Sequence, residues 1–449
     1  MKAKAWKRGA SGLAALILLG SAFYIGSGYA LDRALESKGL RKLIGGKTAR
    51  LLGTNGGYFP LASHGLSISS RGFLALASPP RVLTEMRASR LDARCNLIEL
   101  WHGKWRIDRL WVHHLQAAYG TAAAQLINRN EFPAPELMPP LQTDSPIKVD
   151  VREIDVAQTD LFWGSAPGQG GEFRNVQTNF YPRDHNLLIH GHGGTFHQAK
   201  WPVAQVQQIK LLYAKPELRI DEGSLTFGGA SSISVLGNFR FEQPAAFDLN
   251  LTFAHCPVAP FLSEAQRSKF EGEFDGTAHL QKEIGRIESV RAVGSIAIAK
   301  AILQDVAALQ RVANFTGRRE LARLPINQIK AEYDWNWPRL TVKNFVLESN
   351  QLVIVKGEFT MKEKKIEGEF QVGLSPDVVE KFPGAREEVF VRGEEGYLWT
   401  KLTLSGTPEH LRNDLKPRLV RAAQNHFAKG LLAPIFKPGQ TIIQAIEEL

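Results

Sequence analysis

The stretch Ile329-Lys330-Ala331-Glu332-Tyr333-Asp334-Trp335-Asn336-Trp337 decides how this chain is read. Apolar Ile329, Ala331, Tyr333, Trp335 and Trp337 alternate with polar Lys330, Glu332, Asp334 and Asn336. Successive side chains of a β-strand point to opposite faces, so this segment shows one apolar face and one polar face. The same period recurs upstream, where Leu91, Ala93, Cys95 and Leu97 alternate with Arg90, Asp92, Arg94 and Asn96. It recurs again where Phe247, Leu249, Leu251 and Phe253 alternate with Asp248, Asn250 and Thr252, and where Ile366, Phe370, Val372 and Leu374 alternate with Glu367, Glu369 and Gln371. Strands of this kind suit antiparallel sheets. Turn signals at His102-Gly103-Lys104, Asp221-Glu222-Gly223 and Lys362-Glu363-Lys364-Lys365 separate them. A weak echo, Gly-x-Phe, appears at Gly237, Gly272, Gly357 and Gly368, as in a meander in which each hairpin extends one sheet.

Helical patterns are fewer. Leu31 to Leu52 reads as a stalk helix with basic residues between its apolar ones, and Ala299 to Leu324 carries a helix-like stripe. Pro376 to Phe382 is short, and Pro408 to Leu449 reads as mostly helical, interrupted by Pro417, Pro434 and Pro438. The expected class is α+β, mostly β. Glu131 to Pro146 holds five Pro and reads as a linker between two β-rich halves. The expected division is 1–31, a basic segment and anchor; 32–130, a stalk helix and first β-rich segment; 131–146, the linker; and 147–449, a second β-rich domain with a C-terminal helix.

The anchor rests on Lys2, Lys4, Lys7 and Arg8, followed by an uncharged run of 23 residues from Gly9 to Leu31. About 20 apolar residues in a helix cross a bilayer, whereas the apolar core of a signal peptide runs about 7–15. An uncleaved transmembrane anchor is therefore expected, with cleavage after Gly28-Tyr29-Ala30 as its rival. Either way the rest of the chain enters an export pathway. The 449 residues carry a formal charge of +10. Such a basic chain points to anionic partners, and export leaves lipid headgroups rather than nucleic acid. Two Cys, Cys95 and Cys256, exclude a disulfide-stapled scaffold; they form one bridge at most, or two buried small hydrophobes.

The sequence carries few motifs of catalytic chemistry. Gly46-Lys47-Thr48 lacks the upstream Gly of a phosphate-binding loop, since Arg41 occupies that position. His185, His190, His192 and His197 lie close together, and His190-x-His192 places two imidazoles on one strand face, a zinc-chelating spacing. A solvated Gly-rich turn explains them as well. No Gly-x-Ser-x-Gly elbow is present, and neither Cys has a catalytic context. No enzyme activity, metal or cofactor is expected. The stripe Tyr333, Trp335, Trp337 packs either on a core or on a lipid.

A short basic N-terminus, one span, a helix and a long β-rich body together resemble the AsmA-like family of bacterial envelope proteins. Two stretches carry the resemblance. One is the hairpin around His102-Gly103-Lys104, with Ile98-Glu99-Leu100-Trp101 before it and Trp105 to Val112 after it, following Pro79-Pro80. The other runs from Gly294 through Leu340 to Leu347, Gly357-Glu358-Phe359, the hairpin Lys362 to Lys365, and Leu402 to Pro408. The resemblance implies an elongated, curled antiparallel sheet with an apolar groove, anchored in the inner membrane by a single pass with its body in the periplasm. It implies phospholipid binding or conduction in support of the envelope. The alternative is a non-catalytic scaffold or regulator that works with outer-membrane assembly components. The groove candidates are Phe247, Leu249, Leu251, Phe253, Tyr333, Trp335 and Trp337.

Overall fold

The computed structural model describes residues 38–52, 54–64, 67–77, 83–96, 104–129, 135–139, 148–164, 170–199, 201–242, 245–283, 289–408, 410–429 and 446. The expected N-terminal anchor lies outside the described residues. No helix among those described is long and apolar enough to cross a membrane. The protein is mostly β with few helices, as the alternating pattern requires. It divides into two compact units, one of residues 1–199 with 203–215, the other of residues 200–202 with 216–449.

In the first unit, helix α1 (Lys38–Leu52) precedes eleven strands: β1 (Asn55–Tyr58), β2 (Leu61–His64), β3 (Ser67–Leu76), β4 (Leu83–Asn96), β5 (Lys104–Tyr119), β6 (Lys148–Val151), β7 (Ile154–Trp163), β8 (Gly171–Arg183), β9 (Asn186–His192), β10 (Thr195–Gln198) and β11 (Ala204–Ala214). Both β1 and β2 pair with β3, which continues antiparallel through β4 to β5. Strand β5 then pairs in parallel with β6 and β7, and β7 pairs antiparallel with β8. Strands β9 and β10 both bridge β8 to β11. The parallel step departs from the all-antiparallel expectation. Parallel neighbours need a long crossover, and the chain between β5 and β6 supplies it. The Pro-rich stretch is part of that crossover, so it lies within one unit and the division of the chain comes after Lys215.

Helix α1 is docked rather than a free stalk. Ala49 is fully buried, Thr48 Oγ1 lies 3.1 Å from Tyr58 Oη, and Leu52 packs against the core of Phe73, Ala75, Ala88, Leu91, Val112 and Val156. Gly45, costly inside a helix, is explained by close approach: a Cβ there would sit 3.3 Å from Gly56 O.

The second unit begins with β12 (Glu217–Thr226), β13 (Ser232–Arg240) and β14 (Ala246–Pro257). Next come α2 (Glu264–Arg267), β15 (Phe270–Glu283), β16 (Arg291–Gln304) and α3 (Ala307–Thr316). The long hairpins β17 (Arg323–Asn336), β18 (Arg339–Ser349), β19 (Val353–Lys362) and β20 (Lys365–Leu374) follow. The chain then forms α4 (Pro376–Val379), α5 (Ala385–Glu388), β21 (Val391–Arg392), β22 (Leu398–Thr407), β23 (His410–Asn413) and α6 (Leu415–Lys429). Each strand from β12 to β20 pairs antiparallel with the next, β20 pairs with β22, and β22 pairs with β21 and β23. The helix expected over Ala299 to Leu324 is shorter than its stripe. Ladders to β15 and β17 hold residues through Gln304 extended, and the helix ends at Gly317 in the left-handed conformation (φ 72°).

Bulges interrupt these ladders in one recurring way. Asn175 (φ 56°) and His255 (φ 50°) adopt the left-handed conformation, and each backbone N–H donates to a carboxylate on a neighbouring strand, Asp160 and Asp275, at 2.9 Å. Asn344 (φ 51°) sits at a third bulge and donates its side-chain amide to Glu332 at 3.0 Å. A bulge bends its strand, and Asn tolerates the left-handed region better than most residues.

Candidate functional site: the apolar face of the second unit

The register of the second unit places alternate residues of ten strands on one face. One row reads Gly223, Val235, Leu251, Ala278, Gly294, Tyr333, Val342, Phe359, Gly368, Leu404 from β12 to β22. The adjacent row contains Gly237, Leu249, Leu280, Ala292, Trp335, Leu340, Met361 and Ile366. Phe247 and Phe253 extend the same face at the two ends of β14. Six of the seven candidate residues therefore share one face. Trp337 lies past the end of β17, in the turn to β18, 42% exposed with its ring 6.2 Å from that of Trp335. The opposite face carries Asp275, Thr277, His279, Ser295, Glu332, Asp334 and Lys343, and is mostly exposed.

Glycines shape the apolar face. Gly357 pairs with Phe370, and Gly368 with Phe359, so each ring leans over the glycine of the neighbouring strand. A Cβ at Gly357 would come within 2.6 Å of the Phe370 ring, and one at Gly368 within 2.7 Å of Phe359 Cβ. Tyr333 covers Gly294 and donates its hydroxyl to Thr277 O at 2.9 Å; burial pushes its phenol pKa up. On β19 and β20 the Gly-x-Phe echo is thus a packing rule: each motif places a gap and a ring two residues apart on the same face, and the two motifs interlock.

The two ends of these strands differ. At one end, α3, α4, α5 and α6 close over Leu324, Val353, Leu374 and Leu398 through Val378, Val379, Phe382, Phe390, Ala422 and Ala423. At the other end, β17 to β20 are joined only by the tight turns 337–338 and 363–364. Between these ends the face is half-buried: Phe247, Leu249, Phe253, Trp335, Leu340, Phe345 and Leu402 are all in intermediate exposure, while Leu251, Val342 and Phe370 are buried.

The other sequence candidates are dispersed. His190 lies on β9 with its ring 5.4 Å from that of Tyr181, His192 is exposed, His197 pairs with Glu172 across to β8, and His185 sits in a turn. Among the described residues no three His, Cys, Asp or Glu side chains are placed to hold a metal ion. Cys256 is a buried free thiol that donates to Ser232 O and Ala254 O.

Sequence reading missed a buried polar row in the first unit. On one face of β4, β5 and β7, Arg87, Gln116 and Asp160 are directly paired neighbours. Asp160 accepts from His114 Nε2 at 2.9 Å, Gln116 Nε2 at 3.1 Å and the Asn175 N–H at 2.9 Å. Burial alone raises its pKa, but these three donors outweigh it and hold the carboxyl below its ordinary value. Buried Glu85 pairs with Arg87 and with Arg129. The signal in the sequence was the break in apolar alternation at His114 and Gln116, which looks the same as a solvated face until Asp160 on the neighbouring β7 is placed beside them.

No protein-family profile, curated protein or solved structure matches the chain. The class is therefore defined by fold and face alone: a mostly β protein whose second unit carries a ten-strand apolar face, half-buried, with helices along one side.

Proposed function

We propose that this chain is a non-enzymatic envelope protein of the AsmA-like type, anchored by its N-terminal apolar run in a bacterial inner membrane with its body in the periplasm. In this reading its sheet is elongated and curled, and phospholipid acyl chains lie along the apolar face of the second unit. The observation that carries it is the half-buried state of that face across ten consecutively paired strands. A sheet's apolar face must be covered, and each methylene of an acyl chain removed from water contributes about 0.8 kcal/mol. Two neighbouring rows of apolar side chains, bounded by polar strand ends on the turn side, offer a surface for such chains.

Native mass spectrometry of full-length protein extracted in mild detergent tests the proposal. Bound phospholipid is expected on the wild type, and less of it on the folded Trp335→Glu variant. A lipid-free wild type would support the alternative, a self-filled scaffold or regulator for outer-membrane assembly.

A further inference from the structure

We propose that the polar face of the first unit is a binding site for a β-linked polysaccharide, with the Trp111 indole as its stacking platform. The proposal is independent of the acyl-chain reading, which concerns the second unit.

One row of directly paired residues crosses six strands on this face: Ser69 of β3, Asp92 of β4, Trp111 of β5, Asp155 of β7, Asn179 of β8 and His190 of β9. Leu91, Val112 and Val156, one residue along β4, β5 and β7, point the other way and are buried in the core. Every member of the row except Trp111 is polar, and the indole is 38% exposed. An isolated apolar side chain on a surface needs no explanation. This one is not isolated. His113, two residues further along β5, lies on the same face with its ring 5.7 Å from the indole. Asp92 and Asp155 flank the indole in register on its two sides.

The polar neighbours hold one another in place. Asp155 accepts from Arg109 and from the side-chain amide of Asn179. Arg109 also meets Glu153 at 3.5 Å, and the His190 ring stands edge-on to that of Tyr181 at 5.4 Å. Asn179 keeps a second N–H and its carbonyl oxygen for a ligand, and Arg109 keeps further N–H groups. Groups fixed in advance lose little freedom when they bind.

The ligand must stack on an indole and hydrogen-bond to planar polar groups beside it. A pyranose ring with equatorial substituents does both. Its C–H face is apolar and lies flat on the ring, while its rim of hydroxyls, each a donor and an acceptor, faces the carboxylates and the amide. A nucleotide would stack as well, but its phosphate would lie among Asp92, Glu153 and Asp155, with Arg109 already paired. Neighbouring strands lie about 4.8 Å apart. A β-linked chain advances by close to that spacing per sugar, so successive sugars step across the row from strand to strand.

The test is calorimetric titration of the full-length protein in a detergent without a sugar headgroup. The probes are cellotetraose and chitotetraose, straight β-linked chains of glucose and of N-acetylglucosamine, with maltotetraose as the curved, α-linked comparison. The wild type is expected to bind a β-linked probe at least about tenfold more tightly than maltotetraose, and the preferred probe tells a plain sugar from an acetamido sugar. Trp111→Ala is expected to weaken that binding about tenfold with an unchanged circular dichroism spectrum, and Trp111→Tyr to recover most of it through its own ring. Asp92→Ala, exposed on the other flank, gives a second reading and is expected to weaken binding severalfold. A wild type that binds no β-linked probe, or binds maltotetraose equally well, overturns the proposal. So does undiminished affinity in folded Trp111→Ala or in Asp92→Ala. Phospholipid has no part in this readout, so its outcome stands apart from that of the acyl-chain test.

Discussion

Asp160 and Leu251 show how a single residue's surroundings decide its role. Asp160 is 7% exposed and receives three hydrogen bonds. Its folded pKa lies below the ordinary 3.8, so the stability it contributes is complete above that value and is lost as pH falls through the lower folded value. Asp160→Asn should therefore lower stability at neutral pH by about 1–3 kcal/mol, because His114 and Gln116 lose a charged acceptor. It should also flatten the fall in unfolding temperature as pH drops below about 3.8. An unchanged acid limb would show that other carboxylates set it. On the apolar face, Leu251 is 8% exposed between Val235 and Ala278, whereas Leu249, one row nearer the turns, is only half-buried opposite Gly237. An unpaired carboxylate in a dry site costs several kcal/mol, but one that reaches water costs far less. Leu251→Glu should thus unfold the second unit, while Leu249→Glu stays folded and binds less lipid, as circular dichroism and lipid analysis of the two variants will show. Period-2 alternation identified both leucines as face residues. It could not rank them, because burial on a sheet is set by neighbouring strands that are distant in sequence.

At the scale of elements, local pattern and tertiary pairing competed, and the outcome varied. The alternating runs at Phe247 to Phe253, Ile329 to Asn336 and Ile366 to Leu374 became strands, because period 2 fits only a pleated chain. The stripe from Ala299 has helical spacing, yet its first residues extend β16, since a short apolar run fits either period and the ladders on both sides decide. The Pro-rich stretch has a linker's composition, which a crossover shares; the parallel pairing of β5 with β7 distinguishes the two. Gly-x-Phe was visible as an echo, but its reciprocity across β19 and β20 was not. A Cβ at Gly357 would stand 2.4 Å from Glu369 O, and backbone cannot easily yield. Gly357→Ala should cost about 1–3 kcal/mol in denaturant midpoint with an unchanged slope. Exposed Glu358→Ala should stay within about 0.5 kcal/mol, and equal effects from the two substitutions would refute the packing rule.

At the scale of the whole molecule, the proposed function places the N-terminus inside and the body outside the cytoplasm, a reading supported by the dense basic start and the uncharged run from Gly9 to Leu31. Alkaline phosphatase fused after Leu449 should be active; an inactive fusion, paired with a fluorescent cytoplasmic reporter at the same site, would reverse that placement. The larger consequence concerns how such a molecule is stabilised. If acyl chains cover the apolar face, lipid is a ligand of the folded state alone, and stability must depend on it. A ligand present at a hundred times its dissociation constant adds about 2.7 kcal/mol. For a domain of about 150–250 residues, each kcal/mol moves the melting temperature by about 2–4 °C. Stripping lipid with a harsh detergent, then exchanging into a mild one, should therefore lower the melting temperature by roughly 5–10 °C. Adding phospholipid back should restore it in the wild type but much less in Leu249→Glu, whose carboxylate opposes a chain at that point. A face filled by the protein itself predicts otherwise: no phospholipid to strip, no drop beyond what the detergent does to Leu249→Glu, and no recovery. Hydrogen exchange can then locate the effect, since a lipid-covered face should lose protection on β14, β17 and β18 after stripping while the first unit's β4 and β5 keep theirs.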